Sequence, residues 1–270
     1  MNMITPVNDA AEAPRSGTLS VRLAAGKAEI DAVQALRYAV FYEEMGAIPD
    51  SMTLLTKRDQ DRHDDVASHL VVVDDSATDL ACGIVATYRL IDAPAAAMAG
   101  GFYSASEFDI APLLGNGRVL ELGRSCVHPR YRSGAVLQLL WRGIAEFVHP
   151  RGIELLFGCA SLPGTDPEAI ADQLSLLGHH YLTPAATRPV ALADRFVDLR
   201  RKAEGTYDTR QAFMSLPPLL KGYLRLGGTV GDGAVIDAQF NTIDVALVVS
   251  TERITSRYLR HYLRNGGVAA

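Results

Sequence analysis

The stretch with the clearest chemistry is RVLELGRSCVHPRYRSGAVLQLLWRGIAE, residues 118–146. Its first part is apolar enough to form a buried strand, and Pro129 ends that strand because proline has no N–H for the ladder. The strand contains a carboxylate, Glu121, and a guanidinium, Arg124, which are unfavourable to bury unless they are paired or take part in chemistry. Strict alternation would place them on opposite faces, whereas a bulge at Gly123 would bring both to one face. A structural ion pair and a catalytic carboxylate are both open at this point.

A basic turn and a helix follow the strand. Arg130, Arg132, Ser133 and Gly134 form the turn, and from Ala135 the apolar residues recur at helical spacing. The start of a helix presents free backbone N–H groups and the positive end of the helix dipole. Together with two arginines, these groups predict an anion site, and phosphate is the usual ligand of such sites.

Two upstream pairs of residues could contribute to the same site. Arg37 lies one helical turn before Phe41, so both are expected to face a cleft, although Phe41 could equally be an ordinary core residue. Asp61 and Asp64 lie three residues apart in the charge-dense loop KRDQDRHDD, where they could hold a cationic group or form part of a solvated loop. Arg89, at the end of a predicted strand, is expected to meet this loop.

Metal binding and cysteine catalysis are weaker interpretations. His63, Asp65 and His69 are candidate ligands, but divalent-ion sites usually show a tighter ligand pattern. Cys126 and His128 would share a strand face, and this spacing suits packing better than a nucleophile–base pair. We therefore predict no metal site and no cysteine nucleophile.

The composition is typical of a soluble globular protein, with 48% hydrophobic and 21% charged residues. A net charge of −5 gives no overall attraction for nucleic acid. Cys82, Cys126 and Cys159 are widely spaced and odd in number, which predicts reduced, buried thiols in a cytosolic protein. Residues 1–17 lack the features of a signal peptide and are predicted to form a disordered tail. No apolar run is long enough to cross a bilayer.

The hydrophobic pattern predicts an α/β protein. The predicted strands are 18–23, 69–74, 81–91, 119–128, 154–160 and 240–249, and the predicted helices are 27–44, 135–147 and 167–177, with a short apolar segment at 217–226. The strand at 154–160 should run parallel to the strand that contains Glu121, because a helix connects them. Pro167 is expected at the first position of its helix and Gly178 at the end.

A basic amphipathic helix is predicted near the C-terminus. Arg253, Arg257, Arg260 and Arg264 recur at helical spacing and share one face. Such a face suits an anionic membrane surface or an acidic protein partner, and an ordinary solvated surface helix has the same pattern.

Two motifs resemble known acyltransferases. The strand, the VHPRYR turn and the helix resemble the acyl-donor motif of the GCN5-related N-acetyltransferase (GNAT) superfamily. The pattern of acyl-homoserine-lactone synthases is similar to a series in this chain, although Met45 stands near where those enzymes have a tryptophan; the series is Arg37, Phe41, Asp61, Asp64, Arg89, Glu121 and Arg124.

Nearly the whole chain, residues 20–265, resembles the bacterial L-ornithine N-alpha-acyltransferases of ornithine-lipid synthesis. The segments that carry this resemblance are LRYAVFYEEMGA, HDDVASHLVVVD, GIVATYRL, ELGRSCVHPRYRSGAVLQLLW, PPLLKGYLRLGGTV and FNTIDVALVV. The resemblance implies an α/β (α+β) GNAT-like fold with a mixed, mostly antiparallel central sheet flanked by helices and an extended helical C-terminal region. A single domain would cover residues 18–265, with 179–265 as a family-specific extension.

The reaction implied by this resemblance moves a 3-hydroxyacyl chain from acyl carrier protein to the α-amine of L-ornithine, which gives lyso-ornithine lipid. Glu121 would be the base, Arg124 would hold it in orientation, and Glu43 is a weaker candidate base. A backbone N–H near Gly123 or at Val127 would meet the oxyanion. The residues expected to shape the amino-acid pocket are Arg37, Phe41, Asp61, Asp64, His69 and Arg89. Those expected to hold the donor phosphate are Val127, His128, Arg132, Ser133 and Gly134.

The implied co-substrate is the acyl-phosphopantetheine of acyl carrier protein, with no permanently bound cofactor. The implied partners are the carrier protein, ornithine, the anionic inner membrane and an O-acyltransferase for a second step, in a cytoplasmic protein with peripheral membrane contact. Alternatives are an acyl-homoserine-lactone synthase that uses S-adenosylmethionine, an N-acyltransferase for glutamine, glycine or lysine, and a non-enzymatic acyl-carrier- or lipid-binding protein.

Overall fold

A mixed sheet runs through the part of the chain that the computed structural model describes, residues 19–115 and 117–252. Its strands within these ranges are β1 (Leu19–Leu23), β2 (Ser68–Asp74), β3 (Ile84–Asp92), β4 (Phe108–Asp109), β5 (Val119–Val127), β6 (Leu155–Pro163), β7 (Val190–Ala191), β8 (Thr229–Asp237) and β9 (Thr242–Ser250). Their order across the sheet is β1-β2-β3-β5-β6-β9-β8-β7-β4. Neighbours are antiparallel except for β5 with β6 and β7 with β8. The predicted mixed, mostly antiparallel sheet is confirmed, and so is the predicted parallel pair.

Helices cover both faces of this sheet. They are α1 (Gly26–Tyr38), α2 (Ser51–Thr56), α3 (Ala93–Met98), α4 (Ala111–Leu114), α5 (Gly134–Val148), α6 (Ala171–His180), α7 (Thr209–Ser215) and α8 (Pro218–Arg225). The apolar stripe of α5 packs into the larger core through Val136, Leu140 and Ile144. On the other face, Val33 of α1 packs against Val71 of β2. Within the described residues, no helix combines the length and the apolar character that crossing a membrane requires.

One predicted helix is found at its expected position and another is shifted. The helix predicted over 27–44 is confirmed in extent, but its last part, Ala39–Glu44, is π-helical. The helix expected from Pro167 begins at Ala171, and Gly178 lies inside it rather than at its end. Gly178 is needed there for packing, because a Cβ atom on it would lie 2.8 Å from Cβ of Leu199.

The C-terminal part of the described chain extends the central sheet. The prediction of an extended helical region here is incomplete, since β7, β8 and β9 accompany α7 and α8. Only β9 among these strands had a clear apolar pattern. The predicted N-terminal tail, residues 1–17, lies outside the described residues, as does the basic face of Arg253, Arg257, Arg260 and Arg264.

The three cysteines are free thiols in different environments. Cys126 is buried and Cys159 is half-buried, but Cys82 is exposed. The prediction of a buried thiol is wrong for Cys82 because it lies in a 3-10 turn before β3, where the strand had been expected to begin.

The two central strands separate soon after they meet. β5 and β6 pair through three residues only, from Val119 with Leu155 to Glu121 with Phe157. β6 then pairs with β9 along its whole length, while β5 continues to pair with β3. Gly158 lies where the separation begins, and a Cβ atom on it would overlap the carbonyl oxygen of Leu122.

We expect Gly158→Ala to lower the free energy of unfolding by about 1–3 kcal/mol, the usual range for overpacking. The new methyl group would meet backbone rather than a flexible side chain, so the two strands would have to move apart. Gly222→Ala is the matched control, since Gly222 lies in α8 with no atom within 4 Å of an added Cβ. Urea unfolding of both variants checks this, and equal stabilities would contradict it.

Candidate active site

A cavity of about 710 Å³ lies at the gap between β5 and β6. Side chains from both faces of the sheet line it. The apolar half includes Leu137, Leu140, Leu220, Tyr223 and Leu247, and the polar half includes Tyr103, Glu121, Arg124, Cys159 and Asp244. The cavity therefore joins an apolar compartment to a compartment rich in ionisable groups.

A bulge in β5 places Arg124 beside the polar half. Arg124 and Ser125 together face the single residue Tyr88 of β3, one residue beyond the bulge predicted at Gly123. Arg124 takes the positive φ of 50° that this turn requires. The predicted consequence is confirmed, because both Glu121 and Arg124 contact Tyr103.

Glu121 is buried and held by the loop before β4. Its carboxylate accepts hydrogen bonds from the backbone N–H of Tyr103 at 2.8 Å and of Ser104 at 2.6 Å, and from the Ser104 hydroxyl. The prediction that Arg124 orients Glu121 is wrong, because Tyr103 and Ser104 hold the Glu121 carboxylate. Arg124 instead donates to Asp59 and Asp61, and its guanidinium stacks 4.6 Å from the Tyr103 ring centroid and 4.7 Å from that of Phe240.

Arg124 belongs to a cluster of three arginines and three aspartates, hereafter the Arg–Asp cluster. Its members are Arg37, Arg89, Arg124, Asp59, Asp61 and Asp64. Arg37 of α1 is fully buried and bonds Asp59 at 2.6 Å and Asp64 at 2.8 Å. Arg89 of β3 bonds Asp61 at 2.7 Å. With three charges of each sign, the cluster is balanced.

This pairing determines the charge of the two aspartates singled out in the sequence. Burial alone would raise the pKa of each carboxyl group. For Asp61 the charges of Arg89 and Arg124 outweigh burial and lower the pKa, and for Asp64 the charge of Arg37 does the same. Both aspartates are thus ionised, with their charges already matched by arginines of the chain.

The remaining residues expected at the acceptor side fall in different places. His69 is buried beside Asp64, and burial, opposed by the Asp64 charge, lowers its pKa. Phe41 lines the cavity and meets the Phe240 ring edge-on at a centroid distance of 6.0 Å. Glu43 is exposed and lies outside the cavity lining, so its position does not support the role of a base.

Four of the five residues expected at the donor side line the cavity, and His128 does not. Arg132, Ser133 and Gly134 line it where α5 begins, and Ser133 makes no side-chain cap there. Arg132 bonds both oxygens of Glu44 at 2.6 Å. Its Nε also donates to the Val127 carbonyl oxygen at 3.2 Å. The first backbone N–H groups of α5 therefore have no acceptor within the helix and no serine cap.

His128 supports the turn. Its Nδ1 accepts a hydrogen bond from the Arg130 backbone N–H at 3.3 Å. Burial, with the charge of Arg130 in addition, lowers the pKa of His128. A neutral ring that accepts a backbone hydrogen bond shapes the loop but brings no charge to an anion.

Several side chains of the candidate site could not be found from sequence. Asp59 was visible in the charged loop, but its spacing gave no reason to prefer it to Asp61 and Asp64. Tyr103, Ser104 and Glu107 come from a segment without periodicity, and Asp244 lies in an otherwise apolar strand, where its isolated carboxylate was the only signal.

Known proteins resemble this chain along most of its length. Residues 36–142 match the acetyltransferase (GNAT) domain family. An L-ornithine N(alpha)-acyltransferase of Agrobacterium fabrum is 44% identical over 252 residues, covering 92% of this chain and 86% of that protein. One of Rhodobacter capsulatus is 42% identical over 246 residues, covering 90% and 94%. The structure of an N-acyl amino acid synthase from uncultured soil microbes is 14% identical with a TM-score of 0.43, covering 91% of this chain and 95% of that one.

We expect Arg37→Met to lower the free energy of unfolding by about 3–5 kcal/mol, because it leaves buried carboxylates without their partner. Lys27→Met is the matched control: Lys27 is exposed and pairs with Asp31 at the helix surface, so its loss should change stability by less than about 0.5 kcal/mol. Urea unfolding at neutral pH measures both. A small effect of Arg37→Met would show that the Arg–Asp cluster is not a stabilising unit.

Proposed function

We propose, because this chain belongs to the L-ornithine N(alpha)-acyltransferase family, that it transfers a 3-hydroxyacyl chain from acyl carrier protein to the α-amine of L-ornithine. The observation that carries this proposal is a cavity that joins an apolar compartment to a polar compartment containing Glu121. An acyl thioester has the matching division, with an apolar chain on one side of the reacting carbonyl and room for a polar amine on the other.

The donor would enter at the beginning of α5. The free N–H groups there, the helix dipole and Arg132 favour the phosphate of a pantetheine arm. Arg132 would have to share its guanidinium between that phosphate and Glu44. Beyond the phosphate, Leu137, Leu140 and Leu220 provide an apolar path for the acyl chain.

The chemistry would be aminolysis of the thioester. The neutral α-amine attacks the carbonyl carbon, Glu121 takes the amine proton directly or through one water, the C–S bond breaks, and the pantetheine sulfur leaves and is protonated. Beyond Glu121, β5 no longer pairs with β6, so its backbone N–H groups near Gly123 are available to the oxyanion. Tyr103 and Ser104 hold the Glu121 carboxylate in place for this transfer.

Arg124 is suited to the α-carboxylate of the acceptor, which would have to share the guanidinium with Asp59 and Asp61. It lines the cavity, and its guanidinium is held between Tyr103 and Phe240. The Arg–Asp cluster and His69 would then act behind it, keeping Arg124 fixed. Phe41 would close the pocket from the α1 side.

The product would be a lysolipid, which gives a reason for peripheral contact with an anionic inner membrane. Release to an O-acyltransferase would complete a diacylated lipid. The cytoplasmic side of the membrane, where acyl carrier protein acts, is the expected location.

We expect purified protein to convert 3-hydroxyacyl-acyl carrier protein and ornithine to N-acylornithine. Mass spectrometry of parallel reactions with ornithine, lysine, glutamine, glycine and S-adenosylmethionine identifies the product. A different N-acyl amino acid would retain the reaction but change the substrate, and a lactone would select the homoserine-lactone synthase alternative. Tight carrier binding without any product would overturn an enzymatic role.

We expect Glu121→Gln to slow N-acylation by about 100- to 10,000-fold, the range for loss of a general base. The amide keeps the shape of the side chain but cannot accept the amine proton. Glu43→Gln is the matched control and should leave the rate unchanged, because Glu43 is exposed outside the cavity. Single-turnover rates with preloaded acyl donor separate chemistry from binding. A loss with Glu43→Gln alone would reverse the assignment of the base.

A further inference from the structure

The polar half of the cavity ends at Cys159 and Asp244, and the buried carboxylate of Glu107 lies next to them outside the cavity lining. Glu107, Cys159 and Asp244, hereafter the acidic recess, place one side-chain atom each within 4.8 Å of one another. The Cys159 sulfur lies 3.2 Å from Oε2 of Glu107 and 3.4 Å from the Ser104 hydroxyl. Ser104 in turn bonds Glu121, so the acidic recess is connected to the proposed base through one serine.

Asp244 has an unmet polar group in this recess. The residue lines the cavity and is only 5% exposed. Its Oδ1 atom has no hydrogen-bond partner among the described residues. A buried carboxylate oxygen without a partner is unfavourable, so such an atom needs an explanation, and a missing donor from a ligand is a direct one.

The raised pKa values in the acidic recess also indicate that a cation would be stabilised there. Burial, reinforced by the charge of Asp244, raises the pKa of Glu107 to about 7. Burial raises the pKa of Asp244 to about 6, opposed by hydrogen bonds of its carboxylate with Ser161 and Thr242, while the charge of Asp237 acts in the same direction as burial. The facing cations compensate little: Arg195 lies 3.7 Å from Glu107, and Arg124 already binds two aspartates.

We infer that the acidic recess binds the positively charged side-chain amine of the amino-acid acceptor, with Asp244 as the main contact. This rests on the proposed function and assigns the residues that would select a basic amino acid. Asp61 and Asp64, the candidates suggested by spacing, are already matched by arginines. Asp244 offers an oxygen that the protein leaves unbonded.

The length of an ornithine side chain fits this placement. Two hydrogen bonds in series, from Glu121 to Ser104 and from Ser104 to Cys159, span at most about 6 Å, and an Asp244 oxygen lies within 4.8 Å of the Cys159 sulfur. The α- and δ-nitrogens of ornithine lie roughly 6 Å apart in an extended chain with bonds of about 1.5 Å. An acceptor whose α-amine lies at Glu121 can therefore place its terminal ammonium group at the acidic recess.

A metal ion is the competing occupant of the same three side chains. Thiol ligands bind metals as thiolates, and burial, together with the Glu107 charge, raises the pKa of Cys159 well above its ordinary value. The recess therefore favours a hydrogen-bonding ammonium group over a metal that needs thiolate.

Paired acceptors test the inference. Norvaline has the carbon chain of ornithine without the terminal amine, so the ratio of kcat/KM for the two acceptors measures recognition of that amine. We expect Asp244→Asn to lower this ratio by about 10- to 100-fold, mainly through KM for ornithine, since charged hydrogen bonds contribute about 1.5–3 kcal/mol. Glu107→Gln should lower it less, because Arg195 already faces Glu107. Asp75→Asn, at an exposed aspartate, is the matched control.

The possible results separate the inference from the proposed function. An unchanged ratio in a folded Asp244→Asn protein, or a wild-type enzyme that uses norvaline as well as ornithine, would overturn the inference while leaving acyl transfer intact. Absence of N-acyl product from every amino acid would overturn the proposed function itself. Wild-type activity lost with EDTA and restored by Zn²⁺, with Zn²⁺ binding abolished by Asp244→Asn, would identify a metal site and also overturn the inference.

Discussion

The pairing of three arginines, two buried and one half-buried, with three aspartates of one loop is the interaction on which the site depends. Arg37 comes from α1, Arg89 from β3 and Arg124 from β5, whereas Asp59, Asp61 and Asp64 come from a single short segment. Each arginine would be unfavourable alone in this interior, so the loop must lie where all three can reach it. Its position holds Arg124 in the bulge, and Arg124 in turn stacks on Tyr103, whose backbone holds Glu121.

The early separation of β5 and β6 gives the site its two compartments. β3 and β9 hold the two strands apart because each remains paired along the outer edge of its neighbour. The α5 and α8 side chains fill one face with apolar surface, while the other face collects the carboxylates. An enzyme that joins an acyl chain to a charged amino acid needs this contrast, since each substrate half is stable only in its own environment.

Local sequence patterns predicted the strand, turn and helix of the site but not the side-chain contacts that join them. The strand, turn and helix around Glu121 were evident because apolar periodicity and Pro129 are local signals. The ion pairs were not, because they join residues such as Arg37 and Asp64 across 27 positions. The spacing of Asp61 and Asp64 suggested free carboxylates, and only the fold brings arginines to both. The hydrogen-bond donors to Glu121 and the position of the Asp244 carboxylate likewise depend on tertiary contacts. Gly178 was misread because a glycine required for close packing looks the same as one that ends a helix.

β5 and β6 stop pairing after Glu121 and Phe157, and the cavity between them extends to the exposed residues 132–134. This shape has a consequence for a substrate tethered to a carrier. An acyl chain that is attached to a whole protein cannot enter a closed tunnel from its attached end. It can enter a cleft that is open along one side, with its free end in the apolar compartment and its attached end outside. For the donor proposed above, this cleft would allow entry without any parting of strands, and the same open side would let a discharged carrier withdraw.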